Sequence, residues 1–390
     1  MTTIREQVRA IADEVIEMRR WLHQHAELSF QEVKTSGYIE KKLREMGGDL
    51  EITRPTPTSV MAVLKTGRPG PVIALRADID ALPIQEPQGL PYASKNDGVM
   101  HACGHDGHAA IQLGTIKVLL QNRDKLRGEV RFLFQHAEEV PPGGAIEMLR
   151  AGVMEGVDEV YGLHLTTTLE TGRFGICKGV LTSNTDGFTI VVQGKGGHSA
   201  MPQLCIDPVP IGGQIIGALQ TVVSRRLAPD QTVALSICKV RAGSAYNIIP
   251  NTFEMEGSVR TFSRQTREQV KTLIGEIACG IAAANGATAD YRYDQGYDAV
   301  DNDPELTDIA TKVIAETFGP DAPTPMNPVM PGEDFGYFSS CCRGFFLELG
   351  AANAAKGLTA AHHNPAFAFD EDALALGVEY NVSLLLNRMR

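Results

Sequence analysis

The chain has 390 residues and a net charge of −11, because 47 aspartates and glutamates outnumber 36 lysines and arginines. This balance argues against a nucleic acid or an anionic membrane as a partner, since either would need a basic face. A small-molecule substrate is the better expectation. The length also exceeds that at which a single hydrophobic core usually stops growing, so two domains are expected.

The N-terminal stretch mixes charged and apolar residues and has no uninterrupted apolar run of the kind found in signal peptides. No segment approaches the roughly 20 consecutive apolar residues that cross a bilayer. The seven cysteines have no regular spacing. In a chain without an export signal they indicate reduced thiols, and we therefore expect a cytoplasmic protein.

The first half of the chain alternates helical patterns with short apolar runs. Apolar residues recur every three or four positions over 4–22, which predicts an amphipathic helix, and a second helix is predicted over 33–46, ending at Gly47. Apolar runs that end in acidic residues or histidine predict buried parallel strands of an α/β sheet. These strands are predicted at 72–80, 130–139 and 157–165, with a helix at 109–120.

From residue 183 the pattern changes to strand, helix, strand, strand, helix, strand, at 187–192, 207–226, 233–240, 252–262, 264–284 and 288–293. This order is that of a ferredoxin-like α+β unit. We therefore predict an inserted domain at 183–296 that separates two parts of a first domain, 1–182 and 297–390. The second part is predicted to contain a helix at 304–317, a strand at 345–349 and a C-terminal helix from about Glu371, capped by Asp370.

The octapeptide HACGHDGH, residues 101–108, concentrates residue types that bind metals. Cys103 and His105 have a spacing that suits ligation of one centre, although a polar turn before a helix would have the same composition. Further carboxylates and imidazoles follow predicted strands or lie in loops of the same sheet: Asp78, Asp80, Glu138, Glu139, His164, His362 and His363. Because ligands of open α/β sheets bind beyond the carboxyl ends of strands, this convergence predicts a site for one or two divalent cations.

The adjacent Glu138 and Glu139 favour a hydrolytic site. Neighbouring side chains diverge, so one carboxylate can bind a metal while the other takes a proton from a metal-activated water. A pair of solvated surface acids is the alternative, but the apolar run VRFLF before them favours burial. A structural zinc knuckle and a redox disulfide are disfavoured, because the chain has no C-x₂-C pair and Cys103 has no cysteine near it in sequence.

Nine stretches, in order along nearly the whole chain, resemble the dinuclear metallopeptidases and amidohydrolases that include hippurate hydrolases, N-acyl-amino-acid amidohydrolases and auxin-conjugate hydrolases. They are RRWLHQHAELSF, LRADIDALPI, MHACGHDGHAA, FQHAEE, GLHL, GKGGHSAMP, NIIPNTFEMEGSVRTF, PGEDFGYF and HHNPAFAFDEDAL. The resemblance implies an α/β catalytic domain of the zinc-exopeptidase type, with a mixed sheet flanked by helices. It also implies that the inserted ferredoxin-like domain is a lid and dimerisation domain.

The resemblance further implies a dinuclear centre of zinc, manganese, cobalt or nickel. Its ligands are Cys103, at or between the two ions, together with His105, Glu139, His164 and His363. His363 is preferred to His362 because it precedes a small polar residue and a proline, as the ligand of the family does. Glu138 is then the general base, and Asp80 orients a ligand from behind.

In the inserted domain, the resemblance implies that His198 stabilises an oxyanion, in the active site of the partner subunit of a homodimer or homotetramer. Asn247 and Arg260 are weaker candidates for binding the substrate's carboxylate. One local departure is FQHAEEVPPGGA, which has His136 and two prolines where members of the family have a proline before the glutamates and a glycine-rich stretch after them. This departure concerns the shape of the substrate pocket more than the chemistry.

The implied reaction is metal-dependent hydrolysis of the amide bond in N-acyl amino acids, as in aminoacylases and hippurate hydrolases. A dipeptidase or aminopeptidase of the same fold, a non-catalytic metal-binding protein and a cysteine hydrolase using Cys103 are the alternatives. The glutamate pair speaks against a pure binding protein, which has no need of Glu138 beside a ligating Glu139.

Overall fold

The computed structural model describes residues 2–87 and 89–390. Its backbone divides into two compact units. The large unit comprises the described residues of Met1–Leu181, Val300–Pro328 and Asp334–Arg390, and the small unit comprises Thr182–Ala299 and Val329–Glu333. The small unit thus contains the segment predicted as an insertion, 183–296, and in addition residues 182, 297–299 and 329–333.

The helices, numbered along the chain, are α1 (Ile4–Gln24), α2 (Val33–Met46), α3 (His105–Leu120), α4 (Gly144–Arg150), α5 (Pro208–Thr221), α6 (Arg264–Ala284), α7 (Pro304–Phe318), α8 (Phe335–Ser339) and α9 (Asp372–Arg388). A π-helical turn at Val222–Arg226 prolongs α5. None of the helices in the described part of the chain combines the length and the apolar character that a membrane span requires.

The strands are β1 (Glu51–Thr53), β2 (Val60–Lys65), β3 (Val72–Asp78), β4 (Glu129–Gln135), β5 (Glu159–Glu170), β6 (Phe174–Ile176), β7 (Gly179–Val180), β8 (Asn184–Gln193), β9 (Gly197–His198), β10 (Val233–Ala242), β11 (Ile248–Ile249), β12 (Thr252–Thr261), β13 (Thr288–Gln295), β14 (Asp301–Asn302), β15 (Pro323–Pro325) and β16 (Arg343–Ala352).

The large unit is built on a sheet with strand order β1-β2-β4-β3-β5-β16-β6-β15. Its four central strands, β4, β3, β5 and β16, are parallel, whereas β2 and β6 run antiparallel to their central neighbours. The predicted mixed sheet flanked by helices is confirmed. Because the central strands are parallel, their carboxyl ends lie along one edge of the sheet, where ligands of such sheets bind.

Three helices pack together in the core of the large unit. Helix α1 begins with a capping box, in which Thr3 and Glu6 each bond the other's backbone N–H, and it buries an apolar face that includes Val15. A Cβ on Gly114, in the middle of α3, would come within 2.8 Å of both Val15 and Val378 of α9. A larger residue at this position would therefore force the helices apart.

Helix α3 begins at His105, four residues earlier than predicted, so the second half of HACGHDGH is the first turn of a helix. The helix is buried on almost every side. It has no polar face, so its first turn shows no amphipathic pattern in the sequence, and for this reason its start was predicted four residues too far along the chain. Gly104 precedes it with φ 94, a conformation that glycine adopts without a Cβ penalty.

The small unit is a four-stranded antiparallel sheet of order β10-β12-β8-β13 with two helices, α5 and α6. Residues of β8 alternate between buried and partly buried, as expected for a strand with one face covered. The apolar core joins this covered face to both helices, for example through Ile190, Ile215 and Ile274. The succession of elements is the predicted β-α-β-β-α-β order of a ferredoxin-like unit.

Candidate metal centre

Side chains of the types that bind metals meet at the carboxyl edge of the sheet in the large unit. Cys103 precedes α3, His105 opens this helix, Glu139 follows β4, and His164 lies inside β5 rather than just beyond its end. The donor atoms of Cys103, His105 and Glu139 lie within 4.8 Å of one another, and so do those of Cys103, His164 and His362. Cys103 is common to both groups, and its Sγ is 3.4 Å from His164 Nε2. This arrangement suits two cations that share one thiolate.

The two groups contain polar atoms that the protein itself leaves unpaired. His105 Nε2, Glu139 Oε1 and His362 Nδ1 are buried without a hydrogen-bond partner among the described residues. Buried polar atoms are nearly always paired, so several unpaired atoms in one cluster of Cys, His and Glu need a partner of another kind. Divalent cations such as zinc take this donor set, and the residues therefore fit the implied metal centre.

The adjacent histidines 362 and 363 both lie beside this cluster, in different places. His362 belongs to the group with Cys103 and His164. His363 is half exposed, and its Nε2 lies 3.1 Å from Glu139 Oε1 without the alignment of a hydrogen bond. Its backbone is left-handed, with φ 62, and its N–H donates to Ala102 O. Either imidazole is therefore close enough to donor groups to serve as a ligand.

Asp80 supports two of the candidate ligands from behind. Its backbone oxygen and Oδ1 lie 3.0 and 3.2 Å from His105 Nδ1, so this nitrogen is the donor and Nε2 keeps its lone pair for a metal. Asp80 Oδ2 accepts from the backbone N–H of Glu139 at 3.1 Å and from Ser29 Oγ at 2.7 Å. The orienting role predicted for Asp80 thus has a geometric basis at both His105 and Glu139.

The electrostatic field at the cluster favours positive charge. Burial alone would lower the pKa of His105, but Asp78, Asp80 and Glu139 outweigh it and raise that pKa to about 10. Burial, reinforced by Glu139 and other carboxylates, raises the pKa of the Cys103 thiol well above its ordinary value. A cation bound among these groups would be stabilised by the same carboxylates and would reverse the effect on the thiol.

His164 and His108 differ in what remains available on their rings. His164 Nδ1 donates a hydrogen bond to Leu165 O at 2.8 Å. Burial and the neighbouring His108 lower the pKa of His164, so the ring is neutral and Nε2 has a lone pair for a metal. His108 Nδ1 donates to Asp78 Oδ1 at 2.6 Å, and its Nε2 accepts from Leu165 N at 2.8 Å. Both ring nitrogens of His108 are thus used in holding the fold, and this residue is not free to bind a metal.

A buried ion network lies behind His105 and was not predicted. Asp106 Oδ2 is 2.7 Å from Arg19 Nε and 2.8 Å from His23 Nδ1, and His23 Nε2 is 3.0 Å from Glu86 Oε1. Arg19 and His23 are one turn apart on α1 and lie in the stretch RRWLHQH. The network ties the first turn of α3 to α1, and the i, i+4 spacing of Arg19 and His23 was the available signal.

Glu138 is 8% exposed and belongs to neither of the two donor groups that share Cys103. Glu139 belongs to one of them. The adjacent glutamates therefore occupy different environments, as a ligand and a neighbouring base would require.

The candidates in the small unit are more exposed. His198 is in β9, which pairs with β11 by the register His198 to Ile248, and Ser199 N donates to the backbone oxygen of Asn247. His198 and Asn247 are both exposed, and this backbone bond brings their segments side by side. Arg260, on β12, donates from one guanidinium nitrogen to Ser258 Oγ and to its neighbour's backbone oxygen. These contacts of Arg260 are with residues next to it in sequence, and they do not indicate what it binds.

Residues 74–387 match the family model described as peptidase family M20/M25/M40. The chain belongs to this family. It is 50% identical over 302 residues to an N-acyl-L-amino acid amidohydrolase of Geobacillus stearothermophilus, a match that covers 76% of this chain and 81% of that protein. It is 43% identical over 376 residues to an N-acetylcysteine deacetylase of Bacillus subtilis, covering 96% and 97% of the two chains.

Among solved structures, this M20-family chain is similar to the Bacillus subtilis YXEP protein, described as a dinuclear metal-binding peptidase from the M20 family. The TM-score is 0.86 at 40% sequence identity, and the match covers 98% of this chain and 99% of that one. Together with the donor groups that share Cys103, these likenesses identify a hydrolase of a metallopeptidase family.

Proposed function

We propose that this protein hydrolyses the amide bond of N-acyl amino acids, using two divalent cations held by Cys103, His105, Glu139, His164 and a histidine of the 362–363 pair. The observation that carries the proposal is the pair of donor groups sharing the Cys103 thiol, with buried His105 Nε2 left without a hydrogen-bond partner in the described part of the chain. The similarity to an amidohydrolase and to a deacetylase of N-acyl amino acids supports this substrate class.

When bound, the cations would lower the pKa of a water molecule and polarise the acyl carbonyl. Glu138 accepts the proton that water loses as its oxygen attacks the carbonyl carbon. The carbon–nitrogen bond then breaks as Glu138 returns the proton to the leaving amine. The acid that is released loses the second proton of the water to the free amino group, so that a carboxylate and an ammonium amino acid result. Cys103 serves as a ligand throughout, and no covalent acyl-enzyme forms.

The residues of the small unit complete the proposal. His198 donates a hydrogen bond to the tetrahedral oxyanion, and Asn247 and Arg260 bind the carboxylate of the amino acid. His198 Nδ1 accepts a hydrogen bond from Ala200 N at 3.1 Å, so Nε2 carries the ring proton. Nε2 is therefore the nitrogen proposed to donate to the oxyanion. We further propose that the small unit serves as a lid and dimerisation domain, that the protein is a cytoplasmic homodimer or homotetramer, and that His198 acts in the partner subunit.

Zinc is the first candidate for the metal because a thiolate is a soft ligand. The carboxylate and imidazole donors also accept manganese, cobalt and nickel. His363 is proposed as the fifth ligand, with His362 as the alternative. Alanine variants of the two histidines, titrated with zinc against a chelator, separate them, because the ligand's loss weakens binding far more than its neighbour's.

The test is a substrate screen on protein stripped with a chelator and reloaded with each of the four metals. Hydrolysis of N-acetyl- and N-benzoyl-amino acids, restored by metal, is expected. Faster turnover of unblocked dipeptides would instead assign a peptidase, and metal binding without turnover of either class would assign a binding protein. Full activity in the stripped protein would point to a cysteine hydrolase.

A further inference from the structure

The short segment that presents the two glutamates has an unusual backbone. Between the end of β4 at Gln135 and Glu138 lies Ala137, with φ 49. This left-handed conformation is uncommon for a residue with a side chain, and it persists only where the surroundings hold it. Ala137 precedes the proposed base directly and the proposed ligand Glu139 by two residues. Its conformation therefore sets the direction in which both carboxylates leave the sheet.

Both backbone groups of Ala137 are fixed by hydrogen bonds. Its N–H donates to Glu32 Oε1 at 2.8 Å, and its oxygen accepts from Gly144 N at 2.9 Å. Gly144 comes so close that an added Cβ would lie 1.9 Å from His136 O. The loop after the glutamates is thus folded back against the residue before them.

Glu32 fixes a second left-handed residue with the same oxygen. Its Oε1 also accepts from Phe30 N at 2.9 Å, and Phe30 has φ 66. The side chain is fully buried, and its other oxygen has no aligned hydrogen-bond partner within the described residues. The Thr58 side chain is a further neighbour of this carboxyl. A buried carboxyl is costly to retain, which points to a role beyond packing.

We propose that Glu32 is a positioning residue, whose Oε1 holds Ala137 in its left-handed conformation and thereby aims Glu138 and Glu139. Without this acceptor, the buried N–H of Ala137 and the partly buried N–H of Phe30 lose their partner, and Ala137 relaxes to a negative φ. Both following carboxylates then turn away from their positions. The inference rests on the proposed function in that Glu138 is the base and Glu139 a ligand.

The test compares Glu32→Met, which has a similar volume and no acceptor, with Glu32→Gln, which keeps one. Glu159→Met is the matched control, because Glu159 is a buried carboxyl at the start of β5, where it binds Tyr161 and Arg388. Glu32→Asp, which withdraws the oxygen by one methylene group, is measured as well, so that a poorly folded methionine variant does not end the test.

The first measurement is hydrogen–deuterium exchange of the metal-free proteins over the peptide spanning 132–140. We expect faster exchange there in Glu32→Met and Glu32→Asp, and wild-type exchange in Glu32→Gln and the Glu159 control. Unchanged protection in both Glu32→Met and Glu32→Asp would overturn the proposal. This readout needs neither metal nor turnover, so it stands even if no acyl amino acid proves to be a substrate and the proposed function fails.

The second measurement is steady-state kinetics with metal content checked in each variant. In Glu32→Met, kcat should fall about 100-fold while KM stays within about threefold, as for misplaced catalytic groups. Adding Ala137→Gly should recover at least about tenfold, because glycine adopts φ 49 without the Cβ penalty. A rise in KM alone, a Glu32→Gln variant as slow as Glu32→Met, or no recovery by glycine would each contradict the proposal.

Discussion

The candidate residues of the large unit differ from those of the small unit in how firmly they are held. His105 is buried, with one nitrogen bonded to Asp80 and the other lacking a hydrogen-bond partner within residues 2–87 and 89–390. His198 is exposed on a two-residue strand, and its one described side-chain bond is to a residue two positions away. The large unit thus holds its candidate ligands in place before any metal binds, whereas the proposed role of His198 depends on what its exposed segment contacts.

The largest expected effect is that of Cys103→Ala. This change removes the donor that both groups share, so the stripped variant should fail to regain two ions per chain and should show no measurable turnover. Metal content by mass spectrometry and the acyl-amino-acid assay test it. Cys238→Ala, which removes an exposed thiol of the small unit, is the control and should keep both. Retention of two ions by Cys103→Ala would refute the shared thiolate.

His198→Ala tests the other side of the comparison. Removing one oxyanion donor should lower kcat by about 10²–10³ while metal content stays at the wild-type value. Lys195→Ala, on the same exposed segment, should have little effect. Loss of metal in the His198 variant would mean that this residue contributes to metal binding and would contradict its separate role.

Asp80→Asn should have an intermediate effect. The substitution preserves size but removes the charge that orients His105 and Glu139, and such a loss behind metal ligands typically weakens metal affinity or activity by about 10–100-fold. Chelator competition gives the affinity. Asp308→Asn, at an exposed ion pair with Lys178, serves as the control. Equal affinities for the Asp80 variant and the wild type would remove Asp80 from the account.

The smallest expected effect is on stability and depends on pH. Burial, together with Asp80, raises the pKa of Glu32 to about 7. A group whose folded pKa is raised contributes fully below its unfolded value, near pH 4.5, and this contribution is lost as pH rises to about 7.

Glu32→Gln removes this titration. As pH rises from 5 to 8, the metal-free variant should therefore become more stable relative to the metal-free wild type, by at most about 3 kcal/mol. Urea unfolding at both values measures it. A stability difference between the variant and the wild type that does not change with pH would contradict the raised pKa of Glu32.

The sequence predicted the framework of both units because their patterns are local. Helix α2 was predicted with the bounds that it has, since its start, its apolar spacing and the glycine at its end all lie within 15 residues. The strands of the small unit show regular alternation, which β8 retains in its burial. The start of helix α3 was predicted four residues too far along the chain, because a helix that is buried on almost every side shows no alternation of polar and apolar faces.

The interior of the candidate site could be predicted only in part. Cys103, His105, Glu139 and His164 stand out by residue type, and the structure brings their donor atoms together. The partners that orient them do not stand out, because a buried aspartate or arginine looks like any surface charge in sequence. The predicted strand at 130–139 ends at Gln135, since Ala137 takes a left-handed conformation that a distant glutamate supports. Such long-range contacts have no local pattern.

The central claim is that Glu138 is a base beside a metal centre that it does not hold. Glu138→Gln keeps the side chain's size and removes its ability to take a proton. The variant should bind the same number of ions as the wild type and turn over N-acyl amino acids about 10²–10⁴ times more slowly. Measuring kcat and metal content on the same sample tests this directly, and a near-wild-type rate with full metal would contradict it.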